Sequence, residues 1–352
     1  MKKFTKMWAI AACALFAGTA AVNAEDYTWK FVTAGDATTY AIRSDGSLWS
    51  WGWNVWKKAV GGKAYGFFLA EDGSLWAAGT HEGGVQGTND GIDHKVLTRI
   101  GTDNDWADMA CSRFWGYSGF AIKTNGTLWA WGKNSAGQLG IGNTQAQTAP
   151  VQVGADMDWK QVAAGCSSVL ALKTDGSLWG WGFNMYSELF GHEGKQLSPV
   201  RLGSETDWEQ VVVIDFRAYA VKKDGTLWAW GDNANNLLGF NTPTEEETTA
   251  EGNPVEVVTV PQITAPTHVT SIEGKVLTIS GCENTLSVAT GTDGVIEKVW
   301  MLGSNTDGAL GDGKGLGNGN KDIPFAKVPV HPSLKSSLKF AGMSSGQNYT
   351  VM

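Results

Sequence analysis

The stretch Ala171–Gly182 reads Ala-Leu-Lys-Thr-Asp-Gly-Ser-Leu-Trp-Gly-Trp-Gly and recurs along the chain with little change. Two short apolar runs flank Asp175-Gly176. Asp-Gly is favoured in two-residue hairpin turns, because both central residues of such a turn need a positive φ. The stretch therefore predicts a β-hairpin with a two-residue turn. The same turn recurs at 45–46, 72–73, 125–126, 224–225 and, in a degenerate copy, at 293–294.

A Leu-Trp pair follows every one of these turns except the last. Successive residues of a strand point to opposite faces, so Leu128 and Ala130 lie on one side while Trp129 and Trp131 lie on the other. Both sides are apolar. The pattern predicts a strand that is buried on both faces.

Two further segments accompany each hairpin. A short strand ending at a glycine precedes it, as at 159–165, and a loop containing Gly-Gln-Leu-Gly follows it, as at 137–140. The loop leads to an outer strand at 149–153, whose counterparts are 198–202 and 253–257.

The leading tryptophans give the length of the repeat. They are separated by 56 − 29 = 27, 106 − 56 = 50, 159 − 106 = 53 and 208 − 159 = 49 residues. A four-strand unit of about 50 residues cannot bury its own faces, so successive copies must pack against one another.

The repeat resembles that of the regulator of chromosome condensation family, in its secreted bacterial type. The motifs that carry the resemblance are Trp159…Gly165, Leu170–Gly182 and Gly137–Gly140, and it covers nearly all of the chain after residue 28. It implies an all-β fold, a seven-bladed β-propeller, and seven repeat starts agree with seven blades. The 27-residue first step and the short last copy predict that the first and last blades are incomplete. We expect residues 25–352 to form a single β-propeller domain.

The N-terminus has the layout of a secretory signal peptide over residues 1–24. Three lysines precede an apolar run from Met7 to Ala21, and Val22-Asn23-Ala24 forms a small-residue cleavage site. We therefore expect export to the periplasm or the extracellular space. No later stretch approaches the roughly 20 apolar residues of a membrane span. The alternative is a lipoprotein anchored at Cys13, because Ile10-Ala-Ala-Cys13 resembles a lipoprotein cleavage box.

Charge and cysteine content limit the partners. The formal net charge is −8 and no basic run occurs, which argues against a nucleic-acid partner. Removal of the signal leaves Cys111, Cys166 and Cys282, an odd number that cannot pair completely. Whether any two of them pair stays open.

The motifs that could carry chemistry are incomplete. Gly308–Lys314 fits the first seven positions of a phosphate-binding loop, but Gly315 stands where Ser or Thr would hold Mg²⁺. The five histidines never have metal-ligand spacing, and none accompanies a Gly-x-Ser-x-Gly motif. We therefore expect no cofactor, no bound metal and no enzymatic activity.

The strand directions predict a binding face. The first and third strands of a copy finish at the same end, so the loops that follow them share one face. Aromatic and arginine side chains on loops of a rigid scaffold are typical of binding hot spots. The predicted binding residues are Trp53, Tyr65, Arg113, Phe114, Trp115, Tyr117, Phe183, Tyr186, Phe216 and Arg217, with Phe240 and the acidic run 245–247 on the same face.

The expected function is protein–protein interaction by an exported, non-enzymatic monomer. Relatives in the family include the exchange factor of a nuclear GTPase and a secreted bacterial inhibitor of β-lactamases, so the resemblance implies a protein partner. The alternatives are carbohydrate binding by the same aromatic loops, inhibition of an enzyme in the manner of the β-lactamase inhibitor, and an enzyme whose site has no recognisable motif.

Overall fold

A computed structural model describes most of the chain. The predicted signal peptide lies outside the described residues. Contacts divide the chain into two compact units, with the boundary between Val55 and Trp56. The described residues are 29–34, 38–43, 48–52, 56–62, 64–112, 116–234, 237–240, 246–248, 254–256, 262–282, 285–303, 323–328, 344–346 and 349–351.

The first unit contains one antiparallel sheet of three strands. In chain order they are β1 (Trp29–Ala34), β2 (Thr38–Arg43) and β3 (Leu48–Gly52). The first repeat copy thus pairs three described strands, in keeping with the short step that predicts an incomplete blade.

The second unit contains five four-stranded antiparallel sheets, which we call blades I to V. Blade I comprises β4 (Trp56–Gly61), β5 (Tyr65–Ala70), β6 (Leu75–Gly79) and β7 (His94–Arg99), with one 3₁₀ turn, η1 (Glu82–Gly84), before β7. Blade II comprises β8 (Trp106–Cys111), β9 (Ser118–Lys123), β10 (Leu128–Gly132) and β11 (Gln147–Gln152). Blade III comprises β12 (Trp159–Ala164), β13 (Ser168–Lys173), β14 (Leu178–Asn184) and β15 (Gly194–Arg201).

The remaining strands continue the pattern with one interruption. Blade IV begins with β16 (Trp208–Ile214), β17 (Arg217–Lys222) and β18 (Leu227–Asp232); a separate hairpin of β19 (Glu246–Thr248) and β20 (Pro254–Glu256) follows, and β21 (Gln262–His268) completes the blade. Blade V comprises β22 (Val276–Cys282), β23 (Thr285–Thr292), β24 (Val295–Gly303) and β25 (Ile323–Val328). A last pair consists of β26 (Ser344–Gly346) and β27 (Tyr349–Val351). In the described part of the chain no helix is long and apolar enough to cross a membrane.

The prediction of an all-β propeller is confirmed, but the prediction of seven blades is wrong. The described residues form five four-stranded blades. Among the described residues the first copy supplies three strands, in keeping with its length of 27 residues. The last copy supplies a two-stranded pair. Counting repeat starts therefore overestimated the number of complete blades.

The outer strand of blade IV is also not the one predicted. The segment 253–257 was expected there, but its strand β20 pairs with β19 in the separate hairpin. The outer strand is β21, in which Thr267 pairs with Ala229 of β18. Pro266 then takes the place that Pro150 and Pro199 have in blades II and III. The acidic segment is thus an excursion from the blade that ends before its outer strand begins.

The hydrophobic core of the second unit lies between blades. Strands β4, β8, β12, β16 and β22, the first strands of blades I to V, contact one another in that order. Each buried cluster combines residues of two successive blades; one joins Phe120 and Leu128 of blade II to Val162 and Trp181 of blade III. On the Leu-Trp strand of blade II, Leu128, Ala130 and Trp131 are buried and Trp129 is half-buried, so the predicted burial of both faces is complete on one face and partial on the other.

The turn of the repeated hairpin differs from the two-residue turn that was predicted. In blade III the N–H of Gly176 donates to the carbonyl of Lys173 (3.0 Å), and Gly176 has a φ of +85°, whereas the φ of Asp175 is not positive. This is a type I turn followed by a left-handed glycine. A Cβ on Gly176 would lie only 2.3 Å from the carbonyl oxygen of Thr206, which also favours glycine.

The side chains explain the choice of turn. Asp175 Oδ1 accepts hydrogen bonds from the N–H (2.8 Å) and hydroxyl (2.6 Å) of Ser177, and the Ser177 hydroxyl accepts one from Trp179 Nε1 (2.9 Å). These bonds lower the pKa of Asp175. In the degenerate copy Val295 replaces the hydroxyl residue, and there the two-residue turn does form, with positive φ at Asp293 and Gly294. The Asp-Gly-Ser-Leu-Trp motif is therefore a hydrogen-bonded unit.

The same end of blades II, III and IV holds a lysine between two tryptophan rings, and the lysine of blade III is buried. Lys173 Nζ lies 5.0 Å from the ring centroid of Trp159 and 4.5 Å from that of Trp179. It also pairs with Asp156 (2.7 Å) and Asp158 (3.0 Å). Burial alone would lower the pKa of Lys173, but the hydrogen bonds to the two carboxylates outweigh it and raise the pKa. The arrangement recurs with Lys123 and Lys222.

Hydrogen bonds between blades join the other end. Trp181 Nε1 in blade III donates to the carbonyl of Gln138 in the loop of blade II (2.8 Å). A Cβ on Gly140 would lie 2.8 Å from the Trp181 ring, so the second glycine of Gly-Gln-Leu-Gly is needed to let the loop approach the indole. Trp131 and Trp230 make the equivalent bonds to Val85 and Glu188. The repeated loop and the second tryptophan of Trp-Gly-Trp-Gly are therefore two halves of one interblade contact.

Candidate functional site

The loops that follow first strands and third strands meet on one face of the second unit. Tyr186, after the third strand of blade III, contacts Phe216, after the first strand of blade IV, with ring centroids 4.8 Å apart. We call this surface the loop face, defined by the described residues 80–93, 112, 116–117, 133–146, 165–167, 185–193 and 215–216.

Six of the ten predicted binding residues lie among the described residues. Tyr65, Tyr117 and Arg217 are buried, and Phe183, Tyr186 and Phe216 are half-buried. The other four, and the phosphate-loop-like segment 308–315, lie outside the described residues; the four are Trp53, Arg113, Phe114 and Trp115. Three of the predicted binding residues are therefore buried and do not face solvent.

Tyr65 and Tyr117 are buried because they pack between blades I and II. Their ring centroids are 5.9 Å apart, and the Tyr65 hydroxyl donates to the carbonyl of Ser112. Burial raises the pKa of Tyr65. Burial and a hydrogen bond to Glu82 raise the pKa of Tyr117, which has a φ of +42°. Both rings therefore belong to the buried core between the two blades, beneath the loops.

Arg217 is buried because it forms an ion pair with a neighbouring loop residue. One of its Nη atoms lies 3.6 Å from Asp215, and Asp215 also accepts a hydrogen bond from Cys166 Sγ at 3.7 Å. The cluster therefore connects the loops of blades III and IV.

The half-buried aromatic side chains of the loop face include Tyr186 and Phe216, at blades III and IV. Met185 is 46% exposed, beside the half-buried Tyr186. Strands β14 and β15 extend beyond the Trp-Gly motif, since Phe183 pairs with Lys195 and Asn184 with Gly194. The extension carries Phe183 and Met185 out from the end of the blade.

Side-chain hydrogen bonds fix the loop that carries these residues. Asn184 Oδ1 accepts from the N–H of Leu189 (3.1 Å), and its Nδ2 donates to the carbonyls of Leu189 (3.2 Å) and His192 (2.5 Å). Ser187 has a φ of +68°, where the loop of blade II has Gly137. Its hydroxyl lies 3.3 Å from Gln262 Oε1 in blade IV. The loop is thus held in one shape before any partner binds.

Glu188 lies beneath the loop and is fully buried. Its Oε2 accepts from the N–H of Tyr186 (2.8 Å), and its Oε1 accepts from the hydroxyl of Ser168 (3.3 Å). Burial raises the pKa of Glu188 from its ordinary 4.5 to about 7, although the backbone N–H bonds oppose the shift. A buried carboxyl that titrates near neutral pH therefore supports the aromatic loop.

Sequence reasoning missed the residues that organise the loop. An asparagine recurs two residues after Trp-Gly at 54, 134, 184 and 233, and this repetition could have identified it. Asn134 and Asn233 hold their loops as Asn184 does. Glu188 stands where blade II has Gln138, so the departure from Gly-Gln-Leu-Gly was the available signal for the buried carboxyl.

The loops at the ends of blades III and IV offer apolar contact surface. Within the described part of the chain, no group of three His, Cys, Asp or Glu side chains is arranged to hold a metal ion. The half-buried rings of Phe183, Tyr186 and Phe216 and the exposed Met185 offer an apolar surface on a rigid loop. Such surfaces are typical of binding sites.

Comparisons with known proteins agree with the repeat pattern. The sequence profile of the Regulator of chromosome condensation (RCC1) repeat matches residues 125–172 and, separately, residues 29–55. Among curated proteins, none matches the chain in sequence at a significant level.

Solved structures provide three informative neighbours. Human WBSCR16 has a TM-score of 0.65 at 16% identity, and the alignment covers 92% of this chain and 85% of that chain. Yeast RCC1 (Prp20) in complex with Kap60 has a TM-score of 0.66 at 15% identity, covering 92% and 79%. Prp20p from Saccharomyces cerevisiae, a protein that binds Gsp1p and histones, has a TM-score of 0.55 at 18% identity, covering 75% and 69%.

At these identities the structural likeness establishes the fold. The repeat profile adds the repeat motifs at residues 29–55 and 125–172. The chain therefore contains regulator of chromosome condensation repeats and has the all-β fold of the RCC1-like β-propellers.

Proposed function

We propose that this protein is an exported, non-enzymatic binding protein that engages a protein partner through the loop face of blades III and IV. The observation that carries the proposal is the contact between Tyr186 and Phe216, next to the exposed Met185. Aromatic and methionine side chains are enriched in the buried centres of protein interfaces.

The rigidity of the loop supports the proposal. Asn184 and Glu188 fix the backbone around Tyr186, so little conformational entropy is lost when a partner binds. Prp20, a neighbour with the same fold, binds Kap60 and, as Prp20p, Gsp1p and histones. By analogy with such propellers, the partner of this chain is a protein.

The first prediction concerns the binding surface. A variant with Met185→Ala, Tyr186→Ala and Phe216→Ala should bind the partner recovered by affinity capture about 100-fold more weakly, because it removes three neighbouring apolar contacts. The measurement is the Kd of the purified partner for each purified variant, by calorimetry.

Met157→Ala is the matched control. Met157 is 60% exposed and lies at the opposite end of blade III, before β12, so its removal should leave the Kd unchanged. A triple variant that melts like the parent and keeps the parental Kd would contradict the proposal. Recovery of a glycan instead of a protein would favour the carbohydrate-binding alternative.

The second prediction concerns export. The charged and apolar layout of residues 1–24 should direct the chain across the cytoplasmic membrane, and cleavage should follow Ala24. Intact-mass analysis of the exported protein should therefore give a chain that begins at Glu25. A mature chain that begins at Cys13 and carries lipid would establish the lipoprotein alternative.

A further inference from the structure

The outer strand of each blade is an edge, and most of these edges carry a proline. Strands β11, β15 and β21 contain Pro150, Pro199 and Pro266, and β25 contains Pro324. Proline has no N–H, so it blocks the pairing of a further strand. Strand β7 of blade I, with the sequence His-Lys-Val-Leu-Thr-Arg, contains none.

The hydrogen bonds of the outer strands show which N–H groups the prolines replace. In blade I the N–H of Ile100 donates inward to the carbonyl of Leu75 (2.8 Å), and Thr98 pairs with Ala77. Since N–H groups alternate in direction along a strand, the N–H and C=O groups of Leu97 and Arg99 point away from β6.

Blades II, III and IV repeat this inward bond three residues after their prolines. The donors are the N–H groups of Val153, Leu202 and Val269. Pro150, Pro199 and Pro266 therefore occupy the outward-pointing position that Leu97 has in blade I. The edge of β7 thus keeps the outward donor that proline removes from the other three blades.

The side chains of this edge are also open. Val96 is 59% exposed and Ile92, just before the strand, is 57% exposed. They are two of the five large hydrophobic residues that are exposed among the described side chains. Lys95 and Arg99 are exposed on the other face of the strand.

We propose that β7 is a docking edge to which an extended acidic segment of another protein adds as a fifth strand of blade I. Backbone hydrogen bonds to Leu97 and Arg99 would provide affinity, and side chains on alternate faces would provide specificity, as in β-strand addition generally. Acidic residues opposite Lys95 and Arg99 and an apolar residue opposite Val96 complement this strand.

Charge argues against a second copy of the chain as the occupant. Antiparallel self-pairing centred on Leu97 places Lys95 of one copy opposite Arg99 of the other. Like charges directly opposite each other in a sheet are destabilising. Strand β7 itself lies outside the loop face, although Ile92 just before it does not, and neither β7 nor Ile92 is used in the proposed function.

The test uses a fluorescein-labelled peptide in which glutamate and valine alternate over the length of β7, titrated with the full chain and followed by fluorescence anisotropy. We expect the parent chain to bind it and Leu97→Pro to bind about tenfold more weakly, because a strand hydrogen bond is lost and the ring obstructs pairing. Leu97→Pro recreates the residue found in three other blades, so the blade fold accommodates it.

Leu97→Ala is the matched control, because it removes the side chain and keeps the N–H, and it should bind the peptide like the parent. A peptide of alternating lysine and valine should not bind. Absence of binding to the parent, or equal binding by the parent and Leu97→Pro, would overturn the proposal. A parent that is dimeric by sedimentation and becomes monomeric with Leu97→Pro would assign the edge to a second copy and likewise overturn it.

Discussion

Replacing Trp181 by alanine is expected to lower the free energy of unfolding by about 3–5 kcal/mol, which is the usual cost of removing a fully buried indole. Trp181 has no exposed surface, packs against Trp159 at 6.0 Å and belongs to the cluster between blades II and III. Its loss also leaves the carbonyl of Gln138 without the Nε1 donor.

Chemical denaturation of the purified variants measures this effect. Trp181→Phe separates its two parts, because phenylalanine retains most of the apolar volume but cannot donate a hydrogen bond. Its cost should be about 1–3 kcal/mol. A Trp181→Ala variant that loses less than about 1 kcal/mol would show that the interblade contact does not support the fold.

Replacing Glu188 by glutamine is expected to stabilise the protein at pH 8 by about 3 kcal/mol, as the difference between a pKa of about 7 and the ordinary 4.5 implies. The folded state holds the proton of Glu188 more tightly than the unfolded state does. The stabilising contribution is therefore complete below pH 4.5 and is lost as the pH rises to about 7. Glutamine stays neutral, and Gln138 occupies the same position in blade II.

Thermal melts between pH 4 and pH 8 measure the effect. The parent should lose stability relative to Glu188→Gln across this range, and the two should coincide near pH 4. At pH 8 the variant should melt about 5–10 °C higher. Glu193→Gln, an exposed change in the same loop, is the matched control and should follow the parent. A Glu188→Gln variant that runs parallel to the parent at every pH would contradict the raised pKa.

The sequence predicted the parts of the fold that depend on local repetition. The hairpins, the largely buried Leu-Trp strands and the packing of successive copies all follow from the spacing of Asp-Gly and Trp. The turn type did not, because the competing hydrogen bonds from Ser177 to Asp175 are visible only in three dimensions. The sequence misplaces the outer strand of blade IV because Pro254-Val255 matches the Pro-Val pairs of blades II and III, whereas the strand register selects Pro266, which is followed by threonine.

The candidate site was less predictable than the fold. Strand direction indicated which loops share a face, and the contact of Tyr186 with Phe216 agrees with it. Sequence could not separate rings that reach solvent from rings that support the loops, because burial depends on the neighbouring blade. Tyr65 and Tyr117 are buried by packing against each other, and Arg217 is buried beside Asp215. The role of the half-buried residues stays a prediction.

The bond from each tryptophan to the preceding loop has a direction, and this bears on synthesis at the ribosome. In the loop of blade III, the carbonyl of Glu188 accepts a hydrogen bond from Trp230, which lies 42 residues later in the chain. In the loop of blade II, the carbonyl of Gln138 likewise accepts a hydrogen bond from the later residue Trp181. During translation the loop of a newly synthesised blade therefore lacks this hydrogen bond until the third strand of the next blade has been synthesised. A nascent chain that stalls after one blade and before the third strand of the next has a loop without its interblade hydrogen bond. A chain truncated after a blade lacks that hydrogen bond permanently.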